Sequence, residues 1–239
     1  VATFLLVHGS WQGAWCWREI VPRLKQRGHG ATAIDLPGHG EDRSPPESIT
    51  LEDYVDCVVH AVNSLKDAPI LVGHCMGGFI GQVAELIPDR IAALVYVAAL
   101  APSHGCSMMQ FVDGFDPRYL AQLNWSPDRR TAQISLEGAK ESLYSCCSPE
   151  IVESAYARFT PEPVAPFETP ISITERNFGR VRRYYIECLQ DRVLPIALQR
   201  AIRDGVRFTD VYSLDTGHAP FFSAPQELAA ILHIIAEKT

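Results

Sequence analysis

The sequence predicts an α/β fold: a mostly parallel central sheet, helices on both faces, and a helical lobe inserted in the middle of the chain. Three observations carry this. Apolar runs alternate with stretches of helical spacing. Most runs are apolar throughout, as strands covered on both faces are, whereas half-exposed strands alternate. The alternation stops near residue 103 and resumes near 178, after an irregular stretch with many prolines.

Taken in order, the apolar run 2–7 predicts a buried first strand, and 15–27 follows with helical spacing. Residues 31–35 read as the second strand, ended by the turn signal Leu36-Pro37-Gly38-His39-Gly40. A polar loop over 41–48 leads to Thr50, which caps a helix over 51–65 with Asp53 in the capping-box position. A strand at 69–73, a helix at 77–87 and a strand at 91–98 come next. After the irregular stretch, strands are expected at 183–189 and 206–214, and helices at 195–203 and 225–236. The 239 residues therefore suit a single domain over 1–239, with the lobe inserted at about 103–178.

Composition narrows the function classes. The formal charge of -7 is spread along the chain, and no basic cluster suggests nucleic acid. No stretch approaches the roughly 20 apolar residues of a membrane span. The N-terminal run lacks the basic flank and cleavage site of a signal peptide. Seven cysteines without metal-ligand spacing predict free thiols, a reducing, cytoplasmic setting and no metal. No phosphate loop or dinucleotide fingerprint is present, so no cofactor is expected.

The chemistry gathers where strands end. Gly73-His74-Cys75-Met76-Gly77 has the spacing of a G-x-S-x-G nucleophile elbow, with a thiol in the serine place. The Met76 N–H would point at a developing oxyanion, and a second donor is expected from the Ser10 N–H in the loop after the first strand. His218 follows the last strand and suits a general base. Asp191 follows a different strand and would hold the imidazole in its useful tautomer; Asp215 is its competitor. The chain order of nucleophile, acid and base is that of an α/β hydrolase. His74 reads as packing beside the elbow, His8 as ordering the first loop, and Asp35 and His39 as organising the turn after the second strand.

Together these residues resemble the α/β hydrolase superfamily, and more narrowly the group of plant methylesterases, hydroxynitrile lyases and their bacterial relatives. The markers are "FLLVHGSWQGAWCW", "GHCMGG", "RRYYIECLQDRVLP" and "DTGHAPFFSAPQEL". The resemblance implies the α/β-hydrolase fold, Cys75, Asp191 and His218 as the triad, and Ser10 and Met76 as the oxyanion hole. It departs at two places. The family nucleophile is usually serine, so Cys75 is either a native thiol nucleophile or a replacement for serine; since the neighbouring motifs read as those of a serine hydrolase, the expectation is a replacement that slows turnover. The lyases carry a lysine after the catalytic histidine; here Ala219 stands there, which favours ester hydrolysis.

The predicted activity is hydrolysis of a small ester, lactone or carbamate with an apolar or aromatic part, through an acyl-enzyme. The lobe is expected to supply an apolar wall, with Trp125, Trp11, Phe111 and Leu143 as the candidates to touch substrate. The expected partner is thus a small-molecule ester; a homodimer stays open. A lyase on the same scaffold and a binding protein without turnover are the alternatives.

Overall fold

The computed structural model describes all 239 residues. Six parallel strands form the main sheet: β1 (Thr3–Val7), β2 (Gly30–Ile34), β3 (Ile70–His74), β4 (Ala93–Val97), β8 (Arg183–Cys188) and β9 (Asp210–Leu214), in the order β2-β1-β3-β4-β8-β9. Every residue of β3 and β4 is buried, which explains why their sequences, ILVGH and ALVYV, show no alternation. Helices Ile20–Gln26 and Pro225–Lys238 pack on each other, as do Leu51–Ser64 and Ile80–Leu86. The capping box forms as the sequence predicts: Thr50 Oγ1 accepts from the Asp53 N–H at 3.2 Å, and the Asp53 carboxylate accepts from the Thr50 N–H at 2.8 Å.

Two helices differ from expectation. Instead of one helix over 15–27, a 3₁₀ turn over Ala14–Glu19 precedes the helix Ile20–Gln26. Pro22 explains the break. A continuous α-helix would place it in the interior, without an N–H and against a carbonyl one turn back, whereas the first turn tolerates it. Likewise the chain leaves β3 as a 3₁₀ turn, Cys75–Phe79, before the helix Ile80–Leu86 begins.

Between β4 and β8 the chain builds short helical turns and one longer helix, Pro149–Tyr156. It also builds a second, antiparallel sheet of β5 (Leu123–Trp125), β6 (Thr131–Ile134) and β7 (Glu162–Pro163), which the helical expectation lacked. Strands of three, four and two residues are too short for an alternating pattern to register.

The strand order places the site. β1 pairs with β2 on one side and β3 on the other, so successive connections leave β1 in opposite directions. Crevices at the carboxyl ends of such a switch point are where open α/β sheets bind ligands. The loop after β1 and the turn after β3 flank this one.

Candidate active site

Cys75 caps β3 with φ 53°, in the left-handed region that costs a non-glycine residue about 1–2 kcal/mol. The surrounding backbone enforces it. A Cβ on Gly73 would overlap the Gly77 carbonyl oxygen, so strand and turn touch backbone to backbone. The Leu100 N–H donates to the Cys75 carbonyl at 3.0 Å and ties the elbow to the end of β4. The loop after β1 presses on the other side: a Cβ on Gly9 would sit 2.9 Å from Cys75 Cβ and 2.6 Å from His74 Nδ1. Cys75 keeps 6% of its surface exposed.

Beside the elbow, the N–H of Ser10 has no protein acceptor. Buried N–H groups are rarely left so. Ser10 is one of the two donors that the sequence nominates for the oxyanion; the other, Met76, follows Cys75 in the 3₁₀ turn.

His218 is fully buried, and its Nδ1–H donates to Asp191 Oδ2 at 2.7 Å. The other oxygen of Asp191 accepts the Val193 and Leu194 N–H groups at 2.7 and 2.9 Å, which fixes the carboxylate's orientation. His218 Nε2 has no protein hydrogen-bond partner. Burial opposes a charged imidazole here, but the Asp191 carboxylate and Cys75 outweigh it and push His218 up to about 10. Asp215 is exposed and accepts from Gln190 Nε2 at 2.8 Å, so the competition for His218 goes to Asp191.

The neighbouring histidines tie the loops around the site together. His74 Nε2–H donates to the His218 carbonyl at 2.8 Å, with the two rings 4.7 Å apart; burial first, then the neighbouring His218, keeps it well below its ordinary value. His8 donates from Nδ1 to the Gly9 carbonyl and accepts the Leu36 N–H at Nε2 (3.1 Å), joining the loops after β1 and β2; burial lowers it to about 4. Asp35 accepts the N–H groups of Ala14 (2.6 Å) and Glu41 (3.1 Å). His39 bonds Thr160 Oγ1 and the Tyr54 hydroxyl, reaching beyond the turn it was expected to organise.

An apolar pocket adjoins Ser10 and Trp11 and is walled by the β4–β8 segment, with Met109, Val112, Tyr119, Leu123 and Trp125 among its residues. Trp11 and Trp125 are on its wall; Phe111 and Leu143 are not. In the 3₁₀ turn Met108–Gly114, three residues per turn bring Met109 and Val112 to one face, and Phe111 falls off it. Leu143, 1% exposed, is spent on the core. No lysine or arginine lines the pocket. Ala219 is buried at the place where the lyases carry theirs.

Two site residues were not legible in the sequence. Gln199, fully buried, donates to the carbonyls of Leu194 (2.7 Å) and Cys188 (3.0 Å) and to Asp191 Oδ2 (3.4 Å), bracing the turn that carries the acid. Its helical position carries no special spacing. Glu162, 3% exposed on β7, accepts the Trp11 N–H at 2.9 Å, and burial pushes it up to about 8. The only signal was a glutamate between two prolines, Pro161 and Pro163, which reads as a loop.

Residues 4–231 match the model of the Alpha/beta hydrolase family. Methylesterase 7 of Arabidopsis thaliana is 34% identical, the alignment covering 98% of this chain and 96% of that protein. Salicylic acid-binding protein 2 of Nicotiana tabacum is 33% identical, over 98% of this chain and 97% of that one. The crystal structure of a pyrethroid hydrolase from Sphingobium faniae superposes with a TM-score of 0.91 at 30% identity, covering 99% of this chain and 97% of that one. These likenesses support a carboxylic ester hydrolase. No helix is long and apolar enough to cross a membrane.

Proposed function

The chain belongs to the alpha/beta hydrolase family, and from that premise we propose that it hydrolyses small carboxylic esters with an apolar or aromatic arm, with Cys75 as nucleophile, His218 as proton carrier and Asp191 as its orienting acid. The observation that carries this is His218: buried, held through Nδ1 by Asp191 at 2.7 Å, and left with a free Nε2 in the field of Cys75.

As it engages the substrate, Cys75 passes its proton to His218. Its sulfur attacks the ester carbonyl, and the carbonyl oxygen takes the electron pair and sits against the N–H groups of Ser10 and Met76. As the oxyanion collapses, the carbon–oxygen bond to the alcohol breaks and His218 delivers its proton to the leaving oxygen. The thioester carries no charge on sulfur, so Cys75 no longer helps hold a proton on His218. Burial then weighs more against Asp191, and His218 becomes a base able to take a proton from the incoming water. Collapse of the second intermediate releases the carboxylic acid and restores the pair.

The thiol is read as a replacement for serine in a frame shaped for oxygen. The elbow has no slack, since Gly73 and Gly77 already touch. A larger sulfur sets the intermediate off its donors, and small misplacements are costly. The test is a panel of p-nitrophenyl and methyl aryl esters offered to the wild type and to Cys75→Ser, with mass spectrometry for an acyl adduct on Cys75. Hydrolysis that vanishes with His218→Ala supports the reading; no hydrolysis by either form overturns it. The lyase alternative predicts His218-dependent cyanide release from mandelonitrile, which Ala219 in the place of the lyase lysine argues against.

A further inference from the structure

The loop after β1 contains a second left-handed residue, Trp11, with φ 62°. A tryptophan there costs about 1–2 kcal/mol unless the surroundings impose it. They do, and every anchor comes from the β4–β8 segment. Glu162 takes the Trp11 N–H at 2.9 Å, the Thr160 N–H donates to the Trp11 carbonyl at 3.1 Å, and the indole N–H donates to the Ala132 carbonyl at 3.0 Å. The consequence lies one residue earlier. Of two successive N–H groups, Trp11's is turned into the segment and satisfied, and Ser10's is left without a protein acceptor beside the elbow.

We propose that Glu162 is a positioning residue for the oxyanion hole: by holding the Trp11 N–H it fixes the bend that leaves the Ser10 N–H as the free donor. The inference rests on the reading of Ser10 and Cys75 given above. Glu162 is suited to the task because little else competes for it. Its neighbours are the Tyr54 hydroxyl at 3.4 Å on helix Leu51–Ser64, His39 Nε2 at 3.7 Å from the turn after β2, Ser10 itself and Tyr119. No lysine or arginine pairs with it in a salt bridge. His39 in turn bonds Thr160, which anchors the Trp11 carbonyl, so the clamp closes on itself.

The experiment separates positioning from mere support. Ester hydrolysis builds an oxyanion, whereas alkylation of Cys75 by iodoacetamide, in which sulfur displaces iodide, does not. Glu162→Ala is expected to lower kcat for p-nitrophenyl esters about a hundredfold, the scale of losing one oxyanion donor, with KM within about threefold. Its alkylation rate at Cys75, followed by mass spectrometry, stays within about threefold of wild type. Glu162→Gln keeps an oxygen for the Trp11 N–H and retains kcat within about fivefold. Glu162→Asp, should the alanine variant not fold, shortens the reach and loses about tenfold. If hydrolysis and alkylation fall together, or kcat is unchanged in folded Glu162→Ala and Glu162→Asp, the positioning role is overturned. The wild-type rate keeps the two readings apart: esters hydrolysed by wild type but indifferent to Glu162 defeat this inference alone. Esters untouched by both wild type and Cys75→Ser defeat the proposed function and this inference with it.

Discussion

The strand ends and the β4–β8 segment do different work by different means. At the strand ends, position is imposed by backbone: the contact of Gly73 with Gly77, the left-handed Cys75, the N–H groups of Val193 and Leu194 on Asp191. The segment acts through side chains, with an apolar wall over the pocket and one buried acid reaching to Trp11. The contrast teaches where tolerance lies. Backbone-set geometry has no room to relax, whereas a wall of methionine, valine and leucine can repack around a change of similar volume.

Mutation should make that contrast measurable. The largest effect is expected from His218→Ala, a loss of roughly a thousandfold or more in ester turnover; survival within tenfold would reassign the base. Asp191→Asn should follow it closely, and Asp215→Asn, bearing an exposed carboxylate that bonds only Gln190, should stay within about twofold.

Next comes the frame itself. Gly73→Ala drives a methyl into the Gly77 carbonyl and should destabilise by more than about 3 kcal/mol, or abolish soluble protein. Val112→Ala on the pocket wall should cost about 1 kcal/mol. Urea denaturation compares the two, and equal losses would erase the distinction drawn between the regions.

Cys75→Ser should raise turnover of unactivated esters at least tenfold, about 1.4 kcal/mol of barrier. It should also lower the pKa of His218 from about 10, because Cys75 is one of the two groups holding its proton. Imidazole proton shifts followed against pH would reveal it. An unchanged His218 titration would show that Asp191 alone sets the value.

A smaller effect concerns stability. Glu162 titrates in the fold at about 8, above the ordinary glutamate value of 4.5. Between these limits the folded state binds more protons than the unfolded one, so this contribution is complete below about 4.5 and is lost as pH rises through about 8. Glu162→Gln should flatten that decline, seen by comparing denaturation midpoints of both proteins at pH 5 and 8. Parallel pH dependences would mean that Glu162 is ionised throughout. The smallest effect is expected at Trp125, which is 39% exposed at the pocket and carries Arg129 over its ring at 5.0 Å. Trp125→Ala should raise KM for aromatic esters a few-fold and leave kcat alone.

The sheet was legible because its inner strands β1, β3 and β4 are buried on both faces and therefore written as nearly unbroken apolar runs, whereas the edge strands β2 and β9 are partly exposed. The gathering of Cys75, Asp191 and His218 was legible because each follows a strand within four residues, and strand ends of one parallel sheet lie side by side. Phe111 and Leu143 lie off the wall of the apolar pocket for a complementary reason. In short irregular turns, an apolar residue shows that it is buried but not what it is buried against.

By itself, then, the sequence determined the order of strands and helices in the main sheet, the elbow and the identities of the groups at the strand ends, because these depend on local spacing and on the small residues that a tight turn requires. Tertiary structure alone decided that Gln199 braces Asp191, that Asp215 faces away, and that Glu162 clamps Trp11. The bond from Trp11 to Glu162 spans 151 residues. No periodicity carries information over that distance, since a buried acid on a two-residue strand is defined only by what the folded chain brings against it.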